Sequence, residues 1–410
     1  MLAFHFPPVA ESSGMQRALN FAKYLSSSYG WEPIVLTAAP SLYARTSVAQ
    51  LQEVPEDLNV HRIRGLDSQR HLSLFGRYLS WTAIPDSWVT WGLNAAIRGR
   101  SLIKRYNPDL IWSTFPIPST NLAASHIAKH AGIPWVADLR DPMTLDGYPN
   151  DPLRFSASRW IEQRTVDLAS KIVFTAEFTR RVYEERYPQL AGRTLVISNG
   201  YSEASFGATL PRSSDKNTSM LPLTLVHSGN LQEEGRHPRS FFEALSRLKS
   251  EGAVNAAQLQ IVFRDCEEAT IYKPIAEELG IADLIEFKPY LPYTEAIQEM
   301  IDADGLLLFQ GTAYNHAVPA KLYEYLRAFR PIFGIVDQNG ETQSVANEIG
   351  LKHFANIQSS IDIAEKLKNY VSELQAGVLY VPELEQIKMY SRQEQTRKLD
   401  SALRQVLMEH

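Results

Sequence analysis

A strand-helix-strand pattern near the carboxyl end constrains the fold of this chain most. The apolar run at residues 305–309, GLLLF, has the length and composition of a buried strand, and PIFGIV at 331–336 predicts a second one. Between them, Pro319 suits the first turn of a helix, and the residues from Lys321 to Phe329 are good helix formers. Apolar strands joined by a helix are typical of a parallel sheet, so we expect an α/β fold.

The same alternation opens the chain. A short apolar run at residues 2–6 is followed by a loop ending at Ser12–Gly14, a helical pattern over 15–25 and an apolar strand at 34–37. A chain of 410 residues is too long for one ordinary core. The polar, turn-rich segment 207–221, GATLPRSSDKNTSML, is typical of a linker. We therefore predict two Rossmann-like domains, 1–206 and 222–381, that face a central cleft.

Most of the predicted strands fall on short apolar runs between helical stretches. They are residues 60–63, 110–113, 135–138, 172–175 and 195–198 in the first domain, and 223–227, 259–263, 285–287, 305–309 and 332–335 in the second. Residues 382–410 are polar and helical in pattern. We expect them to form one C-terminal helix that crosses back to the N-terminal domain and packs across both.

Composition excludes several classes of protein. The net charge is −5, and no run of Lys or Arg is dense enough for a nucleic-acid footprint. A single cysteine excludes internal disulfides and metal clusters of the cysteine type. His126 and His130 have helical metal spacing, but without a catalytic Glu they are interpreted as solvated surface, and we expect no metal site. No apolar run is long enough to span a membrane and no signal peptide is visible, so the cytoplasm is the expected location.

Residues 72–100 are unusually aromatic, with Tyr78, Trp81, Trp88 and Trp91. Packing in a core is the favoured interpretation, because aromatic side chains bury much area. The alternative is an exposed patch, helped by nearby arginines, that touches a lipid surface or a lipid-linked substrate from the inner face of the membrane.

Well-known nucleotide and hydrolase motifs are missing from the candidate loops. Neither first βα turn carries the G-x-G-x-x-G of a dinucleotide-binding domain, and the chain has no P-loop and no G-x-S-x-G nucleophile elbow. The candidate loops are Ser12–Gly14, residues 138–141 and Gly229–Arg236, together with the stretch 310–340. Lys321 and Glu324 place a cation and a carboxylate at a helix N-terminus, where a phosphate and sugar hydroxyls could be held side by side.

Six short segments, in this order, resemble the family 4 type of retaining glycosyltransferases, which have the two-domain GT-B architecture. They are FPP at 6–8 with Gly14, PDLIWST at 108–114, PWVADLRDP at 134–142, VISNGY at 196–201, SGN at 228–230 and VPAKLYEYL at 318–326. The combination is similar to sugar transferases of the bacterial surface-polysaccharide kind. The resemblance implies a nucleotide-diphosphate sugar as donor substrate, a saccharide or lipid-linked saccharide as acceptor, and no metal or other cofactor.

The resemblance also implies roles for individual residues. Glu324 matches the second glutamate of the family's E-x7-E element and would hold the donor ribose, while His316 stands where relatives have the first glutamate. Arg236 and Lys321 would hold the diphosphate, with Asn230 at the position of the usual arginine. The remaining members of the implied donor site are Gly14, Gly229 and Tyr290.

For the acceptor side, Asp138 is the candidate that would orient a sugar or take the acceptor proton, and a structural role in capping the next turn is the alternative. The departing phosphate is the other candidate base. Two further functions stay open. One is a nucleotide-sugar epimerase of the same fold, and the other is a non-catalytic nucleotide-sugar-binding subunit, which the departures at His316 and Asn230 would suit.

Overall fold

The structure, a computed structural model, describes residues 1–10, 13–73, 77–207, 222–231 and 235–410. These residues form two compact units, one of Met1–Ser198 with Arg392–His410 and one of Asn199–Ser391. Apart from Gly207, the predicted linker lies outside the described residues, as does Ser12 of the first candidate loop.

The N-terminal unit is built on a seven-stranded parallel sheet of order β3-β2-β1-β4-β5-β6-β7. In chain order its elements are β1 (Leu2–Ala3), α1 (Ser13–Tyr29), β2 (Ile34–Ala38), α2 (Val48–Gln52), β3 (Asn59–Ile63), α3 (Ser68–His71), α4 (Val89–Tyr106), β4 (Ile111–Thr114), α5 (Pro118–Ala131), β5 (Trp135–Leu139), α6 (Pro152–Leu168), β6 (Lys171–Phe174), α7 (Glu177–Arg186) and β7 (Thr194–Val196). The strand order reverses between β1 and β4, which opens a crevice at their carboxyl ends.

The second unit has a six-stranded parallel sheet of order β10-β9-β8-β11-β12-β13. Its elements are α8 (Glu203–Phe206), β8 (Leu223–Ser228), α9 (Arg239–Ser250), β9 (Leu259–Arg264), α10 (Ala269–Glu278), β10 (Ile285–Lys288), α11 (Tyr293–Asp302), β11 (Gly305–Gln310), α12 (Ala320–Arg327), β12 (Ile332–Val336), α13 (Glu341–Ile349), β13 (Phe354–Asn356), α14 (Ser360–Ala376) and α15 (Leu384–Ile387). The three-residue β13 was not predicted. Here the order reverses between β8 and β11.

The prediction of one C-terminal helix over 382–410 is wrong. After α15 come a 3₁₀ turn at Lys388–Tyr390 and the extended residue Ser391, and only then the last helix, α16 (Arg392–Glu409). Helix α16 belongs to the N-terminal unit, where its Asp400 accepts a hydrogen bond of 2.7 Å from Trp31. In the part of the chain that the structure describes, no helix is both long and apolar enough to cross a membrane.

The aromatic residues near 72–100 divide into buried and exposed members. Trp91 is fully buried, and the rings of Trp88 and Trp91 lie 4.9 and 5.0 Å from that of Phe4. Trp81, in contrast, is 65% exposed, and Leu79 beside it is 62% exposed. Core packing therefore accounts for Trp88 and Trp91 but not for Trp81.

Candidate functional site

The carboxyl edge of the second sheet brings two loops together. Strands β8 and β11 are neighbours, so the loop after Ser228 and the segment after Gln310 leave the sheet side by side at the reversal of strand order. The apolar sequences of both strands explain this placement, since strands that are buried on both faces lie at the centre of a parallel sheet.

Gly229 and Lys321 form the centre of this edge. Gly229 has a φ of +113°, and the space that a Cβ on it would occupy is filled by the Lys321 ammonium group. Lys321 lies in the first turn of α12, with Pro319 as the N-cap residue. Only glycine can therefore occupy position 229 without displacing the lysine, and a cation lies directly over the backbone of the loop.

The environment of Lys321 disfavours its charge. Burial, followed by the positive charge of Arg236, lowers its pKa to about 7, although Glu324 and Asp265 act in the opposite direction. The α12 N-terminus adds a partial positive charge, and no side chain among the described residues caps it. Such a concentration of positive charge is suited to an anion.

Arg236 is the second cation of the site. Its Nε donates a hydrogen bond of 3.0 Å to the Gln310 side chain, and its guanidinium carbon lies 4.9 Å from the centre of the Tyr314 ring. Burial lowers its pKa from the ordinary arginine value. The guanidinium is planar with five N–H donors, so using Nε internally leaves the two terminal nitrogens for a phosphate.

Glu324 lies one turn beyond Lys321 on α12. One of its carboxylate oxygens accepts a hydrogen bond of 2.9 Å from the Tyr293 hydroxyl. Its charge acts to raise the pKa of Lys321, so a carboxylate lies near this cation, and the pair can hold a phosphate and adjacent hydroxyl groups together.

The other residues expected on the donor side lie on adjacent loops. The Asn230 side chain accepts a hydrogen bond of 3.0 Å from the backbone of Glu267, so it ties the loop after β8 to the loop after β9. Tyr290, after β10, is 60% exposed. His316 lies between the 3₁₀ turn Thr312–Tyr314 and α12. In the part of the chain that the structure describes, no three His, Cys, Asp or Glu side chains are grouped so as to hold a metal ion.

Asp138, in the other unit, is engaged in a buried ion pair. Its two oxygens accept hydrogen bonds of 2.7 to 3.2 Å from Arg17, and Oδ2 accepts another of 2.9 Å from the Thr114 hydroxyl. The side chains of Arg17 and Asp138 are 1% and 0% exposed. The geometry gives Asp138 a structural role as the partner of Arg17, not the predicted capping of the next turn, because its oxygens are occupied by Arg17 and Thr114 and out of reach of solvent.

Gly14 and Arg140 meet at the crevice of the N-terminal sheet. Gly14 is in the first turn of α1, and a Cβ on it would overlap the Arg140 guanidinium group. The Nε of Arg140 donates a hydrogen bond of 2.7 Å to the carbonyl of Phe115. Gly14 therefore lets an arginine approach a helix N-terminus, a contact that the pattern of neither segment indicated.

Sequence reasoning missed three residues that shape this edge of the second sheet. They are Gln310 and Tyr293, whose bonds to Arg236 and Glu324 are given above, and Tyr325, whose hydroxyl accepts a hydrogen bond of 2.9 Å from the Ser228 N–H. Gln310 carried a signal as a polar residue at the carboxyl end of an otherwise apolar strand, and Tyr325 lies in the segment 318–326 that carries the family resemblance.

Comparison with protein families matches residues 14–200 to the model of the "Glycosyl transferase 4-like domain". No curated protein matches the chain. The matched range covers most of the N-terminal unit, including Gly14, Asp138 and Arg140.

Solved structures match over nearly the whole chain. A glycosyltransferase from Rickettsia africae has a TM-score of 0.69 at 15% identity, covering 100% of this chain and 99% of the other. Anabaena HepE, in complex with UDP and glucose, has a TM-score of 0.69 at 12% identity, covering 98% and 99%. WaaG, described as a glycosyltransferase involved in lipopolysaccharide biosynthesis, has a TM-score of 0.63 at 13% identity, covering 99% and 98%. Residues 14–200 are therefore similar to a glycosyl transferase 4-like domain, and the chain has the two-domain GT-B fold of these solved structures.

Proposed function

We propose that this protein is a glycosyltransferase that moves a sugar from a nucleoside diphosphate donor to an acceptor hydroxyl with retention at the anomeric carbon, in the synthesis of a cell-surface polysaccharide or glycolipid. The observation that carries the proposal is the position of Lys321 over Gly229, within the electrostatic reach of Arg236 and Glu324. The UDP and glucose bound by HepE and the lipopolysaccharide role stated for WaaG support the choice of donor and pathway class.

In the proposed reaction the diphosphate is the leaving group. The bond between the anomeric carbon and the phosphate oxygen breaks, the acceptor oxygen bonds to the same face of that carbon, and the acceptor proton passes to the departing phosphate. Lys321 and Arg236 stabilise the charge that develops on the diphosphate, as fixed positive groups that need no reorganisation. These cations supply the role that a divalent metal has in other transferases, so we propose a metal-independent reaction.

Glu324 is assigned to the donor ribose. Substitution of Glu324 and substitution of Arg236 together test the donor site. We expect Glu324→Ala and Arg236→Ala each to lower kcat/KM for the donor by at least about tenfold, since each removes hydrogen bonds that involve a charged group. Calorimetry with a panel of UDP-, ADP-, GDP- and dTDP-sugars first identifies the donor, and a transfer assay then measures turnover.

Matched controls are Glu295→Ala and Arg247→Ala, which change exposed residues of the same unit. Unchanged turnover in both Glu324→Ala and Arg236→Ala would remove the assignment. Release of a free sugar product without any acceptor would indicate an epimerase, and donor binding without turnover would indicate a non-catalytic subunit.

A peripheral contact with the inner face of the membrane is a further part of the proposal, and helix α4 supports it. The helix has four basic residues and no acidic ones, although the whole chain has a net charge of −5. Leu93 and Ile97 are 58% and 69% exposed, and Arg98, Lys104 and Arg105 are exposed on the same helix. Apolar side chains beside cations, on a helix without acidic residues, fit a surface of anionic lipid.

We expect the chain to float with vesicles that contain phosphatidylglycerol and not with vesicles of phosphatidylcholine alone. Neutralising three cations with Arg98→Gln, Lys104→Gln and Arg105→Gln should weaken this binding by about 100-fold, at about 1 kcal/mol for each charge. The triple variant Lys273→Gln, Lys352→Gln and Lys368→Gln, at exposed positions of the second unit, is the control. Equal flotation of the two triple variants would contradict the contact through α4.

A further inference from the structure

Gln310 is a buried amide at the carboxyl end of β11. It is 3% exposed and follows five residues that are all buried in the strand. A buried amide is costly unless its donors and acceptor are hydrogen-bonded, so the partners of this side chain are informative.

The amide of Gln310 joins two separate loops. Its oxygen accepts the 3.0 Å hydrogen bond from Arg236, which is 74 residues earlier in the chain. Its nitrogen donates to the carbonyl oxygens of Tyr314 and Ala317, at 3.3 and 3.4 Å. These partners specify the orientation of the amide, since a flip would set its nitrogen against an arginine donor and its oxygen against two carbonyls.

Close backbone packing surrounds this connection. The Gly311 N–H donates to the carbonyl of Gly235 at 2.5 Å, and a Cβ on Gly235 would lie 2.8 Å from the Tyr314 ring. The same ring lies under the Arg236 guanidinium group. Residues 235–236 and 310–317 are therefore one packed assembly, which also carries His316.

We propose that Gln310 is a positioning residue for the donor: it holds Arg236 and the segment that carries His316 in one arrangement. The inference rests on the proposed function, because it takes Arg236 as a contact of the diphosphate. Gln310 acts through Arg236 and does not itself touch the donor. Its loss should therefore weaken binding of the diphosphate more than binding of the nucleoside and first phosphate.

The test compares nucleoside diphosphates with monophosphates by calorimetry on the full chain, using UDP and UMP, ADP and AMP, GDP and GMP, or dTDP and dTMP, whichever pair the wild type binds most tightly. Gln310→Leu removes all three hydrogen bonds and should lower diphosphate affinity about tenfold while changing monophosphate affinity less than about threefold. The control is Gln298→Leu, an exposed glutamine of α11. If Gln310→Leu does not fold, Gln310→Glu keeps the shape, and its carboxylate should pair with Arg236 and lower diphosphate affinity further.

A double-mutant cycle decides whether Gln310 acts through Arg236. In an Arg236→Leu background, Gln310→Leu should cause no further loss of diphosphate affinity. Equal losses for diphosphate and monophosphate, no loss for either, or full additivity with Arg236→Leu would each overturn the proposal. A wild type that binds none of these nucleotides would instead overturn the proposed function, before any variant is measured.

Discussion

Replacing Lys321 by methionine is expected to lower kcat/KM for the sugar donor by about 10² to 10³-fold and to raise the melting temperature of the free protein. The loss follows because a fixed cation that stabilises a leaving diphosphate contributes most in the transition state. The gain in stability follows because methionine fills the space over Gly229 without the cost of burying a charge.

The pH dependence separates Lys321 from a residue that only packs. The protonated ammonium group is the form that binds an anion, and its pKa in the folded protein is about 7. In the wild type, kcat/KM should therefore fall as the pH rises above about 7, and this limb should be absent in Lys321→Met.

With rising pH, the stability of the free protein should change in the opposite direction to kcat/KM. The folded pKa of about 7 lies below the ordinary value of 10.5, so the unfolded chain binds more protons between these two pH values. The free-energy cost of burying the charged ammonium group is fully present below pH 7 and is lost by about pH 10.5. The stability gained by Lys321→Met should therefore shrink across that window. Thermal unfolding at several pH values measures this stability difference, with the exposed Lys368→Met as the control.

The proposed role of Lys321 in stabilising the diphosphate would be contradicted by either of two results. One is a kcat/KM for Lys321→Met within threefold of wild type, and the other is a kcat/KM for this variant that still falls above pH 7.

Replacing Asp138 by asparagine is expected to destabilise the N-terminal unit by about 3 to 5 kcal/mol, because it leaves the charge of Arg17 buried without its partner. The double variant Arg17→Met with Asp138→Leu should lose much less, since it removes both charges and fills their space with apolar groups. Urea-induced unfolding followed by circular dichroism measures the three proteins.

The same pair of variants distinguishes the two roles considered for Asp138. If Asp138 takes the acceptor proton, Asp138→Asn should retain near-native stability and lose turnover. If it anchors Arg17, stability should fall first, and the double variant should recover it. A stable Asp138→Asn protein with kcat reduced at unchanged donor KM would reinstate the catalytic role.

The elements of this protein were largely predictable because their causes are local. Strands such as residues 305–309 and 332–335 are apolar runs bounded by polar turns, and the structure places β11 and β12 there with an added residue at each carboxyl end. The prediction of one continuous helix over 382–410 failed because no local sequence signal marks the break at Ser391. Polar helical residues continue on both sides of Ser391, but the extended backbone at that residue separates α15 from α16.

At the carboxyl edge of the second sheet, contacts within one helix were predictable and contacts between separate segments were not. Lys321 and Glu324 are three residues apart on one helix, so their proximity follows from helical spacing. The hydrogen bond of Arg236 to Gln310 spans 74 residues and that of Tyr293 to Glu324 spans 31. No spacing rule predicts such pairs, because packing of the sheet brings them together.

By itself the sequence determined the α/β class, the βαβ unit around 305–336 and the cation and carboxylate of α12, since hydrophobic runs and helical periodicity act over a few residues. Only the tertiary structure decided that Gly229 lies under Lys321, that Asp138 is paired with Arg17, and that Gln310 connects two loops. Those contacts depend on the strand order β8-β11 and β1-β4, which is set by burying two sheets and is not encoded in any one segment.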